Sequence, residues 1–367
     1  MSKRIIMLSF LLVSTFPFVL CRNYKMIVGT YTQGTQSEGI YALEFNKKGA
    51  LVSKKLLAKS LNPSFLAFSP DEKYVYAVNE TGQKSTVSAF AFDKKAGTLT
   101  FLSKSDVLEG PCHVYSAQNH VFTANYTSGS ISILGRKENG ALTDTLYNII
   151  HPRYLYGPGR TGPSHAHQIV SSPDGRFVLA TNLGTDGVFA YRYHPASTKN
   201  VLEFISETKV AKRSGPRHMT FSKNGKFLYL LNELSAELNV FSVDSACNLT
   251  RIQEIPLVDD ISKTKSGADI HLSPDGKYLY ATNRADENTI TCFKVYKNGT
   301  IKRVEQYSTY GNAPRNFAIS PDGKFVFVGN QKTNNITVFS RNKRNGKLKL
   351  IGKDIELGAP VCLLFYK

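Results

Sequence analysis

One pattern recurs along the chain, in the stretches FLAFSPDEKYVYAVN (65–79), HQIVSSPDGRFVLATN (167–182), HMTFSKNGKFLYLLN (218–232), IHLSPDGKYLYATN (270–283) and NFAISPDGKFVFVGN (316–330). A less regular copy lies at 113–125, and a seventh is divided between the two ends of the chain. Each copy has an apolar run, a turn built mostly on Pro-Asp-Gly or Asn-Gly, and a second apolar run ending in Asn. Such turns join antiparallel strands, so each copy predicts two neighbouring strands.

The spacing of the copies predicts the size of the repeating unit. The terminal Asn residues are separated by 46, 57, 50, 51 and 47 residues. Another alternating run follows each Asn, and in several copies a further run follows a second turn, which makes four strands per unit. Four-stranded units of this length, without helical periodicity, are typical of the blades of a β-propeller. A β-sandwich pair or a parallel β-helix is the alternative.

The two termini together predict the seventh blade. Three strand-like runs occupy 24–30, 39–45 and 51–57, and the missing innermost strand is found at 361–366. Pairing of this last strand with the N-terminal ones closes the ring and removes the exposed edges of an open array. We therefore predict an all-β, seven-bladed β-propeller with four-stranded antiparallel blades, forming one domain over residues 22–367.

Residues 1–21 are predicted to be a leader rather than part of the propeller. Lys3 and Arg4 precede an apolar run that is short and interrupted for a spanning helix, as in a signal peptide. Cys21 ends this segment, so a lipid anchor through Cys21 is an alternative to free export. The sequence thus predicts an exported protein, periplasmic or lipid-anchored, with a cytoplasmic location as the alternative.

Charge and cysteine content narrow the class of protein further. The formal net charge is +18, which can attract nucleic acid. Many of the lysines fall in blade turns spread round one rim, however, so we expect no nucleic-acid partner. The remaining four cysteines lie far apart, and no Cys or His spacing is typical of a metal site. We expect no disulfide framework, no metal or organic cofactor, and a monomer.

Charged side chains cluster at positions that reach the mouth of the central channel, beside innermost strands or directly after second strands. These residues are His113, His165, His167, Arg217, His218, Glu233, Arg284 and Arg315. Arg suits the binding of carboxylate or phosphate, whereas His and Glu suit proton transfer. The longest interval between copies adds a Gly-, Pro- and Tyr-rich loop at 147–168, which contains Arg160. Long loops in compact folds are often functional.

Six short motifs occur in blade order: Gly29-Thr30-Tyr31-Thr32, Asn62-Pro63-Ser64, Gly110-Pro111-Cys112-His113, Gly162-Pro163-Ser164-His165-Ala166-His167, Gly215-Pro216-Arg217-His218 and Leu231-Asn232-Glu233. As a set they resemble the seven-bladed propeller lactonase family, which includes bacterial 6-phosphogluconolactonases and fungal carboxy-muconate lactonizing enzymes. The resemblance covers nearly the whole chain after the leader. It implies a hydrolase that opens a sugar lactone such as 6-phosphogluconolactone, in carbohydrate metabolism.

The resemblance also implies a site made of a His, two Arg and a Glu. Arg217 and Arg284 are expected to bind the small anionic lactone and polarise its carbonyl. His167 or His165 is expected to act as the general base, and Glu233 to orient that base or protonate the leaving oxygen. Further substrate contacts are expected from Arg160, Arg315, His218 and His113.

Two other functions fit the same residues. The first is a non-catalytic exported propeller that binds an acidic sugar or a surface partner, because anion binding needs Arg but no positioned base. The second is a muconate-type lactonizing enzyme, which runs related chemistry in the reverse direction.

Overall fold

The computed structural model describes residues 23–152, 163–260 and 262–366. In these ranges, 28 strands form seven separate four-stranded antiparallel sheets. The predicted leader with Cys21, and Arg160 in the long loop, lie outside the described residues.

The strands follow the repeat observed in the sequence, and their bounds are as follows. The first three blades contain β1 (Tyr24–Thr30), β2 (Gly39–Phe45), β3 (Leu51–Lys59); β4 (Leu66–Phe68), β5 (Tyr74–Asn79), β6 (Thr86–Asp93), β7 (Thr98–Asp106); and β8 (Pro111–Ser116), β9 (His120–Asn125), β10 (Ser130–Arg136), β11 (Leu142–Ile150). Blades four and five contain β12 (Ala166–Ser171), β13 (Phe177–Asn182), β14 (Gly187–Tyr193), β15 (Leu202–Lys209); and β16 (Pro216–Phe221), β17 (Phe227–Asn232), β18 (Glu237–Val243), β19 (Leu249–Pro256). Blades six and seven contain β20 (Lys265–Leu272), β21 (Tyr278–Ala285), β22 (Thr289–Val295), β23 (Ile301–Ser308); and β24 (Pro314–Ile319), β25 (Phe325–Asn330), β26 (Asn335–Arg341), β27 (Leu348–Glu356).

The last strand, β28 (Pro360–Tyr366), completes the first blade by pairing antiparallel with β1. The predicted ring closure is therefore confirmed. The innermost strands of successive blades contact one another in an unbroken circle, β4, β8, β12, β16, β20, β24, β28 and back to β4. This circle places the start of every innermost strand around one axis, and the seven-bladed propeller predicted from the sequence is confirmed.

Apolar side chains fill the space between every pair of neighbouring blades. Seven clusters of buried residues occupy the seven interfaces, one in each. Adjacent residues of a second strand serve opposite interfaces because strand side chains alternate. Leu230 of β17 packs toward blade four, for example, and Leu231 toward blade six. This double burial explains why the second strands are apolar at nearly every position.

The Ser-Pro-Asp-Gly turns are closed by their own side chains. In the turn of blade six, Ser273 Oγ donates to Asp275 Oδ1 at 2.6 Å and accepts the backbone N–H of Tyr278 at 3.1 Å. Gly276 has φ = +68°, in the region that glycine adopts without a Cβ penalty. The same Ser–Asp hydrogen bond recurs in blades two, four and seven. The recurring tetrapeptide is thus a self-contained hairpin turn.

Helical structure is nearly absent from the part of the chain that the structure describes. It holds one 3-10 turn, Gly82–Lys84, and no helix with the length and hydropathy required to cross a bilayer. The cysteines within the described ranges, Cys112, Cys247, Cys292 and Cys362, are buried free thiols. They pack as small apolar side chains in the sheets or next to them.

The interface that closes the ring gives a test of the fold. Phe45 of β2 is fully buried, and its ring centroid lies 4.6 Å from that of Phe327 in blade seven. Phe45→Ala is expected to lower the free energy of unfolding by about 3–5 kcal/mol, because it leaves a cavity between the first and last blades. Urea unfolding followed by fluorescence would measure this change.

Phe204→Ala is the matched control, because Phe204 lies exposed on the outermost strand β15. That variant should change the free energy of unfolding by about 0.5 kcal/mol or less. Equal effects of the two substitutions would contradict the assignment of Phe45 to a buried interface between blades.

Candidate active site

A β-bulge near the start of the innermost strand aims one side chain per blade at the channel mouth. In blade four, Ala166 pairs with Asn182 and Gln168 with Thr181, so His167 has no partner across the ladder. The same shift in blades five and seven isolates Arg217 and Arg315, and in blade three it isolates Cys112. Bulges redirect side chains and recur beside active sites. Four blades therefore present the bulged residue at equivalent positions around the axis.

The residue after the repeat-ending Asn is the second contribution of each blade. Asn232 is buried at the end of β17, and the next residue, Glu233, donates its backbone N–H to the carbonyl of Gly215 at 2.7 Å. The carbonyl of Glu233 accepts the N–H of Gly267 from blade six at 2.9 Å. These bonds fix the backbone of Glu233 between two blades. Arg284 follows Asn283 in the same way.

Glu233 holds two arginines together. Arg217 Nε donates to Glu233 Oε2 at 2.9 Å, and Arg284 Nη2 lies 2.9 Å from Glu233 Oε1. Arg217 also donates to the backbone carbonyl of Ala268, and Arg284 to Ser266 Oγ at 2.8 Å. The exposed fractions of the side chains are 1% for Arg217, 21% for Glu233 and 14% for Arg284. Arg217 thus forms the floor of the cluster, and Arg284 and Glu233 face the mouth.

The two guanidinium groups determine the charge of Glu233. Burial alone would raise the pKa of Glu233, but Arg217 and Arg284 outweigh burial and hold this pKa below its usual value. The carboxylate is therefore ionised at neutral pH and accepts protons in hydrogen bonds rather than donating one. Of the two roles predicted for Glu233, protonating the leaving oxygen does not fit this charge state.

His167 is the histidine next to this cluster. Its Nε2 lies 4.0 Å from Glu233 Oε2. Burial, followed by the charge of Arg217, lowers the pKa of His167 well below its usual value, so the ring is neutral at pH 7. The ring of Tyr126 meets His167 edge-on, with the two ring centroids 5.7 Å apart.

His165 is stacked on Tyr126, with ring centroids 4.2 Å apart and planes 11° apart. Its Nδ1 lies 2.9 Å from the backbone carbonyl of Tyr126. A carbonyl only accepts, so Nδ1 carries the hydrogen and Nε2 is unprotonated in the neutral ring. Tyr126 thus holds both histidines of the predicted pair, and His167 is the one in contact with Glu233.

A third arginine reaches the mouth from blade seven. The guanidinium of Arg315 lies over the ring of Tyr31, 5.5 Å from its centroid. The hydroxyl of Tyr31 donates to Glu80 Oε2 at 2.7 Å, and Ser64 Oγ donates to the same oxygen at 2.7 Å. Burial alone would lower the pKa of Arg315, but Tyr31 and Glu80 raise it above its usual value, so the group stays charged. Among the described side chains, no carboxylate forms an ion pair with Arg315.

His218 and His113 were predicted to contact the substrate, but both lie beneath the mouth rather than at it. Both are buried, and their ring centroids are 5.9 Å apart. His218 Nδ1 lies 2.8 Å from Asp269 Oδ1, and His113 packs against the ring of Phe65 at 4.1 Å. Neither ring offers a bound molecule much surface. The structure therefore places these two histidines in the wall beneath the mouth.

Of the nine predicted site residues, the structure brings six together at the mouth, places His113 and His218 in the wall beneath it, and leaves Arg160 outside the described ranges. It adds Tyr31 and Tyr126, which the sequence did not predict, and Glu80, a charged residue that directly follows a second strand. Tyr126 and Glu80 each follow a repeat-ending Asn, as Glu233 does, and this position was the signal for them. Within the described ranges, no group of three or more His, Cys, Asp or Glu side chains is arranged to hold a metal ion.

A family model described as "Lactonase, 7-bladed beta-propeller" matches residues 25–365. The chain belongs to this seven-bladed β-propeller lactonase family. The match extends over all seven blades and includes every residue of the cluster at the channel mouth. The resemblance seen in the six sequence motifs is thereby confirmed, together with the enzyme class that it implied, a hydrolase acting on a lactone ester.

Similar members of the lactonase family include two proteins named 6-phosphogluconolactonase. That of Bacillus subtilis is 34% identical over 304 residues, which is 80% of this chain and 84% of the relative. That of Formosa agariphila is 33% identical over 307 residues, 80% and 86% of the two chains. The solved structure of the periplasmic gluconolactonase of Pseudomonas aeruginosa superposes with a TM-score of 0.87 and 33% identity. It covers 94% of this chain and 99% of that chain.

The Glu233 cluster predicts a pH-dependent contribution to stability. The pKa of Glu233 is lower in the folded than in the unfolded chain, so the ion pairs stabilise the fold above the unfolded pKa, near 4.5. This stabilisation is lost as the pH falls through the lower, folded-state pKa. At pH 7, Glu233→Gln should lower the free energy of unfolding by roughly 1–3 kcal/mol, because two guanidinium groups lose their anion.

Urea unfolding of wild type and Glu233→Gln between pH 7 and pH 4 would measure the effect. The difference between the two proteins should shrink toward the acid end. Glu237→Gln, in the adjacent strand β18, is the control for the loss of one carboxylate outside the cluster. A Glu233→Gln difference that grows as the pH falls would contradict the sign of the shift.

Proposed function

We propose that this protein hydrolyses the ester bond of a sugar lactone that carries an anionic group, with 6-phosphogluconolactone as the first candidate. The observation that carries the proposal is the Glu233 carboxylate held between Arg217 and Arg284, with the neutral ring of His167 4.0 Å away. Arg284, Glu233 and His167 could thus supply a charged hydrogen-bond donor, a hydrogen-bond acceptor and a base at the mouth of the channel. An anion-binding propeller would need the arginines alone.

Each group has a role in the reaction. His167 accepts a proton from water, and the water oxygen attacks the lactone carbonyl carbon. The electrons of the C=O bond move to the carbonyl oxygen, where Arg284 stabilises the negative charge, an effect worth about 3 kcal/mol per donor. The intermediate collapses, the ring C–O bond breaks, and the protonated His167 gives its proton to the leaving oxygen. General acid–base help of this kind contributes about 10²–10⁴-fold.

Glu233 and Arg217 support these steps without transferring a proton. Glu233 is ionised, so it accepts a hydrogen bond from the attacking water and directs it toward His167. Arg217 is almost fully buried and bonded to both Glu233 and Ala268, so it positions the carboxylate. This division assigns contact with the substrate to Arg284 and Arg315.

The anionic group of the substrate is proposed to bind Arg315. The described mouth combines three guanidinium groups with the two carboxylates of Glu233 and Glu80, which leaves an excess of positive charge. Arg315 has an aromatic face beneath it and, among the described residues, no carboxylate paired with it. A planar guanidinium suits the oxygens of a phosphate. The names of the Bacillus and Formosa relatives support a phosphorylated lactone.

Export is part of the proposal. The leader-like residues 1–21 and the similarity to a periplasmic gluconolactonase support a location outside the cytoplasm. An unphosphorylated gluconolactone is the second candidate substrate, because it is the one that the Pseudomonas name indicates. The two candidates differ in the group that Arg315 would bind.

The activity test uses residues 22–367, with 6-phosphogluconolactone and gluconolactone in parallel. Wild type should open at least one lactone well above the spontaneous rate. Glu233→Gln should reduce kcat by about 10²-fold or more, because the amide cannot replace the carboxylate at the attacking water. A pH-stat assay of acid release measures both rates, and circular dichroism checks that the variant is folded.

The two histidines provide the internal control of this assay. His167→Asn should reduce kcat about as much as Glu233→Gln, whereas His165→Asn should reduce it less than about tenfold. The reverse order would move the base to His165. If both lactones open at their spontaneous rates in the presence of wild type, the protein does not hydrolyse either of these substrates.

Arg315 determines the preference between the two substrates. Arg315→Gln should raise KM for the phosphorylated lactone about 10–100-fold, because a charge-assisted hydrogen bond is worth about 1.5–3 kcal/mol. KM for gluconolactone should change less than about threefold. Steady-state kinetics on both lactones measures the change.

Lys332→Gln is the matched control, since Lys332 is an exposed cation after the second strand of the same blade. It should leave both KM values unchanged within about twofold. An equal rise in KM from Lys332→Gln would mean that the net charge of the mouth, rather than a contact with Arg315, selects the substrate.

A further inference from the structure

Beneath the mouth, Asp269 of β20 is surrounded by hydrogen-bond donors. Its Oδ1 accepts from His218 Nδ1 at 2.8 Å and from the backbone N–H of Ile270 at 3.0 Å. Its Oδ2 accepts from His271 Nε2 at 2.8 Å, Asn316 Nδ2 at 2.6 Å and the N–H of Phe317 at 3.2 Å. The orientation of Asn316 is fixed because its Oδ1 accepts the N–H of Leu363 at 2.7 Å.

This arrangement fixes the protonation of both partners. Burial alone would raise the pKa of Asp269, but the charge of His271 and the hydrogen bonds to His218 and His271 outweigh burial and hold this pKa well below its usual value, so Asp269 is ionised and accepts from all five neighbours. His218 must then donate through Nδ1, and the Nε2 of the neutral ring is a bare acceptor. Burial and, after it, the positive charge of Arg217 lower the pKa of His218 to about 4, which agrees with a neutral ring at pH 7.

Two other histidine rings, those of His167 and His113, lie beside His218. Within the described ranges, Nε2 of His218 is buried without a hydrogen-bond partner, and so are the Nδ1 atoms of His167 and His113. The His167 ring is the nearer of the two, with centroids 5.2 Å apart and planes at 71°. Buried polar atoms are almost always hydrogen-bonded in folded proteins. An acceptor on His218 beside a nitrogen of His167 therefore indicates a coupled pair.

We propose that Asp269 and His218 position His167 by fixing its tautomer. The Nε2 of His218 accepts the Nδ1–H of His167 through one bridging water. This leaves Nε2 of His167 unprotonated and turned toward Glu233, which is the form required of a general base. Asp269 and His218 touch no substrate; they act through His167. The catalytic consequence rests on the proposed function, but the tautomer of His167 does not.

The tautomer is measured first, by long-range ¹H–¹⁵N correlation of histidine-labelled protein. The chain contains eight histidines, and the signal that disappears in His167→Asn identifies His167. In wild type, its Nδ1 should have the shift of a protonated nitrogen and its Nε2 that of an unprotonated one. In Asp269→Asn, the amide can donate to His218 Nδ1, so His218 becomes an Nε2–H donor and His167 should change to the Nε2–H tautomer.

Steady-state kinetics of lactone hydrolysis provide the second measurement. Asp269→Asn and His218→Phe should each lower kcat by about 10²-fold while KM changes less than about threefold, since the wrong tautomer of a base removes catalysis without removing binding. His218→Phe keeps a ring in the buried site, which matters if Asp269→Asn weakens the fold.

His271→Asn is the matched control. His271 bonds to the other oxygen of the same carboxylate but lies away from His167, so this variant should keep the His167 tautomer and kcat within about threefold. Its half-exposed ring also tolerates replacement.

The outcomes separate the two proposals. A His167 tautomer that is unchanged in both Asp269→Asn and His218→Phe would overturn the positioning role, whatever the activity. A loss of kcat in His271→Asn equal to that in Asp269→Asn would also overturn it, because a general structural defect would then explain both. A tautomer switch in a protein without lactonase activity would support the positioning role and overturn the proposed substrate.

Discussion

The structure depends on the antiparallel pairing of β28 with β1, which joins the two ends of the chain in one blade. Without that pairing, the first and seventh blades would each present an apolar face to water. With the pairing, all seven interfaces between blades are buried, and every innermost strand begins near one axis. The site needs this convergence, because Arg217, Arg284 and Arg315 come from three blades and meet only when the circle is complete.

Within the ring, a bulge near the start of the innermost strand determines which side chain of blades four, five and seven enters the mouth. A regular ladder would alternate side chains between the two neighbouring blades and send none of them along the axis. The bulge frees His167, Arg217 and Arg315 from that alternation. Clustering these guanidinium groups is unfavourable by itself, and Glu233 offsets the repulsion by binding two of them. The stability of the mouth and its chemistry therefore depend on the same carboxylate.

The sequence predicted the fold closely because each blade repeats a complete local signal. The runs at 24–30 and 39–45 are predicted with the bounds that β1 and β2 have in the structure, because turn residues follow each of them. The Arg217, Glu233 and Arg284 cluster was also predictable, because these residues occupy equivalent places in repeated units. The depth of His218 and His113 was not, since one residue beyond a bulge changes a mouth position into a buried wall. The five hydrogen bonds to Asp269 were not predictable either, because their donors come from three different blades.

The four buried thiols have a consequence for the environments in which the ring can exist. Burial raises the pKa of Cys112, Cys292 and Cys362 to about 12 and that of Cys247 to about 11, so almost no thiolate forms at neutral pH. Thiolate is the nucleophile that attacks disulfides and oxidants. These four thiols should therefore react only slowly with oxidants and disulfides while the ring stays folded, so the described blades neither contain a disulfide nor depend on one.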